Sequence, residues 1–424
     1  MKIIGKIDDI LAKRKENLTN EELRERVLTI LNDVKLAGNQ AVIKYTELFD
    51  GVKLADLKPI EINKLTFMKL KEEWQRGIKV AIEEITSYHE KQKINSWLDA
   101  KEDGTILGQI VRPLERVGIY VPGGTARYPS SVLMNAIPAI VAGVEEIVMV
   151  TPPAIDSETI IPEEILYVAH LLGIKEIYPI GGVQGIAALA YGTETIKKVD
   201  KIVGPGNRYV ALAKKEVYPL VDIDMIAGPS EVCIIADETS DPEIIAADML
   251  AQAEHDGESQ AILLTPSHKL AERVEISLTE QLEQLPRQRI AEEALSNNGR
   301  IVLTTSIKEA IELANKIAPE HLELLVEEPF NYLGKVKNAG AIFLGKYTAE
   351  ALGDYIAGPN HVLPTNGTAR FRSPLGVYDF LKRISILSYS KERFSNHQEL
   401  VQLLAKNEGL EGHAKSISIR KERL

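Results

Sequence analysis

Cysteine is almost missing from this chain: 424 residues hold one, Cys233, and histidine is scarce at eight. A lone thiol forms no intrachain disulfide, so nothing here calls for an oxidising compartment. Cys233 lies in the apolar run Val232-Cys-Ile-Ile235, where a small buried hydrophobe is expected, not a reactive nucleophile. No stretch approaches the roughly 20 apolar residues of a membrane-spanning helix. The N-terminal Met1-Lys-Ile-Ile-Gly-Lys-Ile-Asp-Asp9 brings acids too early, after too short an apolar run, for a secretory signal. Basic excess is lacking as well. Fifty Lys and Arg against 61 Asp and Glu leave a net charge of −11, which argues against a nucleic-acid or anionic-membrane partner. Tandem repeats and low-complexity segments are absent. The expectation is a soluble cytoplasmic enzyme.

The 45% hydrophobic and 26% charged content is globular, and the length suits two to three domains. Residues 1–20 read as an arm. Thr19 and Glu22 have capping-box spacing, and Leu23, Val27, Ile30, Leu31 and Val34 form a helical stripe that Gly38 is expected to stop. A second charged helix is expected over about 64–95. From 105 onward short β-rich runs (117–121, 146–150, 175–180, 201–203, 232–236, 261–265, 300–304 and 341–344) alternate with helical segments. That alternation signals βαβ units, and nearly continuous apolar strands suggest parallel sheets covered on both faces. The runs are too many for one small sheet. The fold class expected is α/β, with two doubly wound Rossmann-like parallel-sheet domains and small N- and C-terminal extensions. One domain is assigned 21–116 plus 234–375, the other 117–233. Residues 376–424 read as a charged helical tail that needs another surface to pack on.

Three glycine turns each follow a β run: Val121-Pro-Gly-Gly-Thr125, Gly181-Gly-Val-Gln-Gly185 and Gly204-Pro-Gly-Asn207. Turns of this kind let backbone amides and a helix N-terminus approach a diphosphate, although none is a full dinucleotide fingerprint. A nucleotide crevice and ordinary βα turns stay open alternatives. The polar candidates are equally scattered. Gln252 and His255, three apart near the end of a predicted helix, share a face, yet glutamine is an uncommon zinc ligand and His255 also reads as a cap. Asp354 and His361 flank a turn-rich loop. Glu320-His321 after Pro319 fits either a proton-transfer pair at an element boundary or an ordinary helix N-terminus. His413 by itself reads as a solvated helix residue.

Taken together, these segments resemble the histidinol dehydrogenase family. The carrying motifs are Val117-Gly-Ile-Tyr-Val-Pro-Gly-Gly124, Gly204-Pro-Gly-Asn207, Ala227-Gly-Pro-Ser-Glu231 and Ala251-Gln-Ala-Glu-His-Asp256. To these add Ala318-Pro-Glu-His-Leu-Glu323, Gly358-Pro-Asn-His-Val-Leu-Pro364, Gly376-Val-Tyr-Asp-Phe-Leu-Lys382 and the terminal Glu408…His413. The likeness runs from about residue 20 to the end, with 151–165 the least family-like part. It implies a fold of the aldehyde dehydrogenase/histidinol dehydrogenase type and oxidation of L-histidinol to L-histidine by NAD. By resemblance, one zinc ion per subunit is held by Gln252, His255, Asp354 and His413, with substrate completing the shell. Glu320 and His321 are the acid/base pair. Ser230, His361 and Glu408 join the zinc ligands and His321 in binding substrate, while Tyr120, Gln184 and Asn207 contact NAD. The family pattern also implies a homodimer whose exchanged tails bring Glu408 and His413 to the partner's active site. Two rivals are a paralogue that oxidises another alcohol, such as a polyol or sulfonated diol, and a catalytically silent nucleotide-binding protein.

Overall fold

The computed structural model describes residues 3–4, 21–67, 69–123, 127–154 and 160–423. Most of the 1–20 arm with Thr19 of the capping box, Gly124 with Thr125, and the centre of the 151–165 segment lie outside the described residues. The chain forms two compact units: residues to Gln92 with Leu114–Phe380, and Lys93–Pro113 with Leu381–Leu424.

The larger unit holds two parallel sheets of the same winding. One runs Glu176–Tyr178, Glu146–Val150, Arg116–Tyr120, Lys201–Val203, Asp222–Ile223, which by chain position is the order 3-2-1-4-5. The other runs Arg300–Leu303, Gln260–Thr265, Glu231–Ala236, His321–Leu325, Ala341–Leu344, again 3-2-1-4-5, with Ile3–Ile4 added beside Arg300–Leu303. In each, the chain starts at the centre, builds outward, then returns to the other side. That is the doubly wound pattern expected of βαβ units.

Alternation along the central strand Glu231–Ala236 explains how both faces are covered. Val232, Ile234 and Ala236 pack with helices Pro242–Ala253, His268–Leu282 and Gln288–Asn298, while Cys233 and Ile235 pack with helix Ile307–Ile317. Cys233 is fully buried there. Each fully buried Ile or Leu contributes about 1.5–3 kcal/mol by leaving water, so this strand's position is strongly held. The strand His321–Leu325 pairs parallel to it, His321 opposite Val232. The sequence patterning missed this strand, and the helix N-terminus considered at Pro319 is a strand entry instead.

The first helix stops at Gly38 as expected: Gly38 leaves helical geometry (φ 51, ψ −128), and a second helix starts directly after it. Glu21–Asp50 is thus two helices meeting at a kink, with Ala41, Val42 and Tyr45 resuming the buried stripe begun by Val27, Ile30, Leu31 and Val34. A Cβ at Gly38 would lie 2.3 Å from the Glu194 carboxylate, which instead accepts from Asn39 N–H at 2.7 Å and supports the restarted helix. The helix shares its core with Ile186, Ala187 and Leu189 of helix Gly182–Tyr191. It therefore packs on helices Gly182–Tyr191 and Arg208–Val217, which cover the five-stranded sheet, although the sequence grouped 21–116 with the other domain; the choice depends on which face receives its stripe.

In the smaller unit Ile106–Pro113 lies antiparallel between Trp97–Ala100 and Leu381–Ser388. Of the tail expected to be helical from 376, Val377–Phe380 is a short 3-10 helix of the larger unit, and Leu381–Ser388 is a strand before helices Lys391–Asn407 and Glu411–Arg423. Ser390 caps the first helix, and Arg393 Nε donates to Asp103 at 2.7 Å. Among the described residues no helix is long and apolar enough to cross a membrane.

Candidate active site

One peptide unit organises the proton-transfer candidates. The parallel register sets Glu320 and His321 at the entry of their strand, beside Glu231 at the entry of its neighbour. Glu231 N–H donates to Glu320 Oε2 at 2.9 Å, and Glu231 C=O lies 3.0 Å from His321 Nδ1. A carbonyl only accepts, so neutral His321 carries its proton on Nδ1 and leaves Nε2 with a lone pair. Both side chains are buried. Ser230, half-buried, directly precedes this peptide.

The metal candidates of the larger unit gather at the same edge. His255 stands just past the end of helix Pro242–Ala253, and Asp354 lies in helix Glu350–Tyr355, not in a turn. His255, Glu350 and Asp354 bring ligand atoms within 4.8 Å of one another, close enough to hold one ion. Gln252, fully buried on the Pro242–Ala253 helix, places its amide between Glu231 N–H and the Glu350 carboxylate. The set mixes nitrogen and oxygen donors without thiolate, which suits zinc. His361 joins it, its Nδ1 3.1 Å from the Asp354 carbonyl. Neighbouring Asn360 is buried and structural: Nδ2 donates to Met134 O at 2.6 Å and Oδ1 accepts from Val362 N–H.

Glu350 is the residue that sequence reasoning missed. Its spacing was available, since Glu350 and Asp354 stand four apart and share a helix face, but no helix was expected there. Glu408 and His413 belong to the smaller unit, Glu408 just after helix Lys391–Asn407 and His413 within Glu411–Arg423, and both are exposed.

Burial sets the electrostatics. It holds the Glu320 and Glu350 carboxyls well above the ordinary range and lowers His321 to about 4, with His361 also lowered. His321 is therefore a neutral base around pH 7. This gives a stability prediction for the chelated protein. A histidine shifted from 6.5 to about 4 costs the fold nothing above pH 6.5 and about 3 kcal/mol below pH 4, because the unfolded chain binds the proton first. Denaturant titrations from pH 7 to 4 should show wild type losing up to that much more stability than His321→Asn. A pH-independent gap between them would contradict the burial argument.

A second feature lies at the carboxyl ends of the five-stranded sheet. A cavity of about 960 Å³ is lined by Tyr120 and Thr151 at strand ends, and by Gly182, Gln184 and Asn207 at the starts of the helices that follow strands. This is the crevice where strand order reverses, the usual ligand position in such sheets. The three residues that the resemblance linked to NAD thus share one cavity. Gly182 N–H donates to Tyr120 Oη at 3.2 Å, and Gln184 Nε2 lies 3.5 Å from Asp50 Oδ2. Asn207 caps helix Arg208–Val217 through Oδ1. The Gly204 turn is held by a buried pair: Lys214 donates to Asp224 and to Gly204 O, while Asp224 accepts from Gly204 N–H at 2.8 Å. A Cβ at Gly204 (φ +118) would lie 2.0 Å from Tyr120 O, so only glycine fits.

The family model described as histidinol dehydrogenase matches residues 13–421. The chain is 55% identical to a histidinol dehydrogenase of Listeria innocua over 424 residues, covering 99% of each chain. It is 52% identical to that of Bacillus subtilis, covering 100% of this chain and 99% of the other. The crystal structure of histidinol dehydrogenase from Elizabethkingia anophelis superposes with a TM-score of 0.90 at 41% identity, covering 96% of this chain and 93% of that one. Aldehyde dehydrogenase 21 from Physcomitrella patens shares the fold alone, at 12% identity and TM-score 0.51 over 88% of this chain and 87% of that one.

Proposed function

The chain belongs to the histidinol dehydrogenase family, an oxidoreductase family of histidine biosynthesis, and from that premise we propose that it oxidises L-histidinol to L-histidine through L-histidinal, using two NAD and one zinc ion per subunit. The observation that carries the proposal is the convergence of Glu320 and His321 on the Glu231 peptide, beside the donor group of His255, Glu350 and Asp354.

Gln252, His255 and Asp354 would hold the zinc, with His413 as the fourth ligand by the family pattern. Bound there, zinc supplies a positive template that orients the substrate's imidazole and amino nitrogens. The chain's own residues then move the protons. His321 Nε2 takes the hydroxyl proton as hydride leaves the carbinol carbon for the nicotinamide, giving histidinal, one NADH and one proton. Glu320 removes a proton from water as the water oxygen bonds to the aldehyde carbon. After releasing its first proton to solvent, neutral His321 accepts the proton of the resulting hydrate as its hydride passes to a second NAD, giving the carboxylate. Ser230, His361 and Glu408 orient the substrate. The cavity bearing Tyr120, Gln184 and Asn207 receives the dinucleotide, with the Gly204 turn beside it. In a homodimer with shared active sites, Glu408 and His413 serve the partner's site.

The decisive assay is NADH formation from L-histidinol and NAD before chelation, after it, and after zinc re-addition. The expected result is two NADH per histidinol, loss of nearly all turnover on chelation and recovery with zinc. A folded, zinc-loaded protein that leaves histidinol unoxidised would overturn the substrate and send the search to other alcohols.

A further inference from the structure

Gln252 is an awkward metal ligand. A primary amide is nearly symmetric in outline, but only its oxygen can coordinate a cation, because the nitrogen lone pair is delocalised into the carbonyl. Something must therefore tell the two ends apart. A backbone N–H, which donates, and a carboxylate, which accepts, can do so.

Both surround Gln252. Its amide is satisfied in one orientation: Nε2 donates to the Glu350 carboxylate, 3.2 Å from Oε2 and closer to Oε1, while Oε1 accepts from Glu231 N–H at 2.7 Å, a hydrogen it shares with Glu320 Oε2 at 2.9 Å. Glu350 is itself fixed. It is buried, its own N–H donates to Glu323 Oε1 at 3.2 Å, and its Oε1 lies 3.7 Å from His321 Nδ1. The same carboxylate reaches within 4.8 Å of the His255 and Asp354 donor atoms.

We propose that Glu350 is a positioning residue of the metal site, whose carboxylate anchors Gln252 Nε2 so that Oε1 is the atom left to face the ion. This rests on the reading that zinc binds at Gln252, His255 and Asp354. Glu350 then acts on zinc through Gln252, as an outer partner that fixes a ligand's orientation, and such partners typically influence metal affinity by about 10–100-fold.

A double-substitution experiment separates this from direct ligation by Glu350. Zinc dissociation constants are measured by chelator competition on the full-length protein, with thermal melting of the zinc-free forms as the control for folding. Glu350→Gln is expected to weaken zinc by about 10–100-fold, since an amide partner no longer distinguishes the two ends of Gln252. Gln252→Glu presents two equivalent oxygens and needs no orientation. In that background Glu350→Gln should leave affinity unchanged or tighten it, by removing one of two adjacent carboxylates and restoring a donor–acceptor pair. Should Glu350→Gln melt prematurely, Glu350→Asp, which keeps the acceptor-only group, is expected to retain tighter zinc than Glu350→Ala. Equal losses from Glu350→Gln in both backgrounds, or unchanged zinc affinity in the single variant, overturn the proposal. If the wild-type protein binds no zinc, the metal reading falls and this inference falls with it; wild-type binding with an indifferent Glu350 removes the inference alone.

Discussion

Replacing His321 by asparagine is expected to reduce oxidation of both histidinol and histidinal, each by about 10²–10⁴-fold, the range for loss of a general base. Asparagine is the informative choice because its side-chain NH₂ can still donate to Glu231 C=O, where Nδ1 does now at 3.0 Å. The strand entry and its pairing with Val232 should survive, so the lost quantity is the basic lone pair on Nε2. Single-turnover NADH formation from each substrate is the measurement. Because burial lowers His321 to about 4, the wild-type base needs no deprotonation step at pH 7. Raising the pH should therefore not rescue the variant. Near-wild-type turnover of either substrate would falsify the assignment of His321 as the base shared by both steps.

Glu320→Gln is expected to divide the two oxidations. Histidinal oxidation should fall by about 10²–10⁴-fold, whereas histidinol oxidation should change by only about a few-fold. The stoichiometry then drops from two NADH per histidinol toward one, and histidinal accumulates until it leaves the site. Glutamine retains an oxygen to accept from Glu231 N–H, now bonded to Glu320 Oε2 at 2.9 Å, so the local backbone is preserved. What it lacks is a carboxylate able to take a proton from water. Burial holds the Glu320 carboxyl well above its usual range, which makes the ionised form a stronger base than a solvated glutamate. Histidinal oxidation by wild type should accordingly gain rate as pH rises through that ionisation, and the variant should lack this limb. Equal rates on histidinal for the two proteins would remove Glu320 from the water step.

The identities Glu320 and His321 are a sequence matter; that one base should serve two steps and one acid only one depends on how the Glu231 peptide holds them. Both its polar groups are engaged, the N–H by the carboxylate and the C=O by the imidazole. An arrangement of that kind fixes two side chains with a single element of backbone.

By itself the sequence determined the α/β class, since β-branched runs alternating with helical segments leave few other ways to bury so much apolar chain. It also determined the absence of disulfide chemistry, the acidic surface and, through ordered motifs, the family and its set of polar candidates. Local pattern failed where the deciding partner is far along the chain. Gly38 does stop a helix, but the second helix that restarts directly after it went unread, because its first N–H, that of Asn39, is supported by Glu194, more than 150 residues away. The 376–424 tail looked helical throughout because Leu381–Ser388 becomes a strand only through pairing with Ile106–Pro113. The strand His321–Leu325 went unread because its fully buried middle holds Glu323, and a charged residue breaks the apolar run that marks a core strand. Only the tertiary structure decided that Glu320 and His321 meet Glu231, and that Glu350 meets Gln252 and Asp354. Periodicity reports which residues share a face; which faces meet is set by parallel strand register and by the helices that cover each sheet.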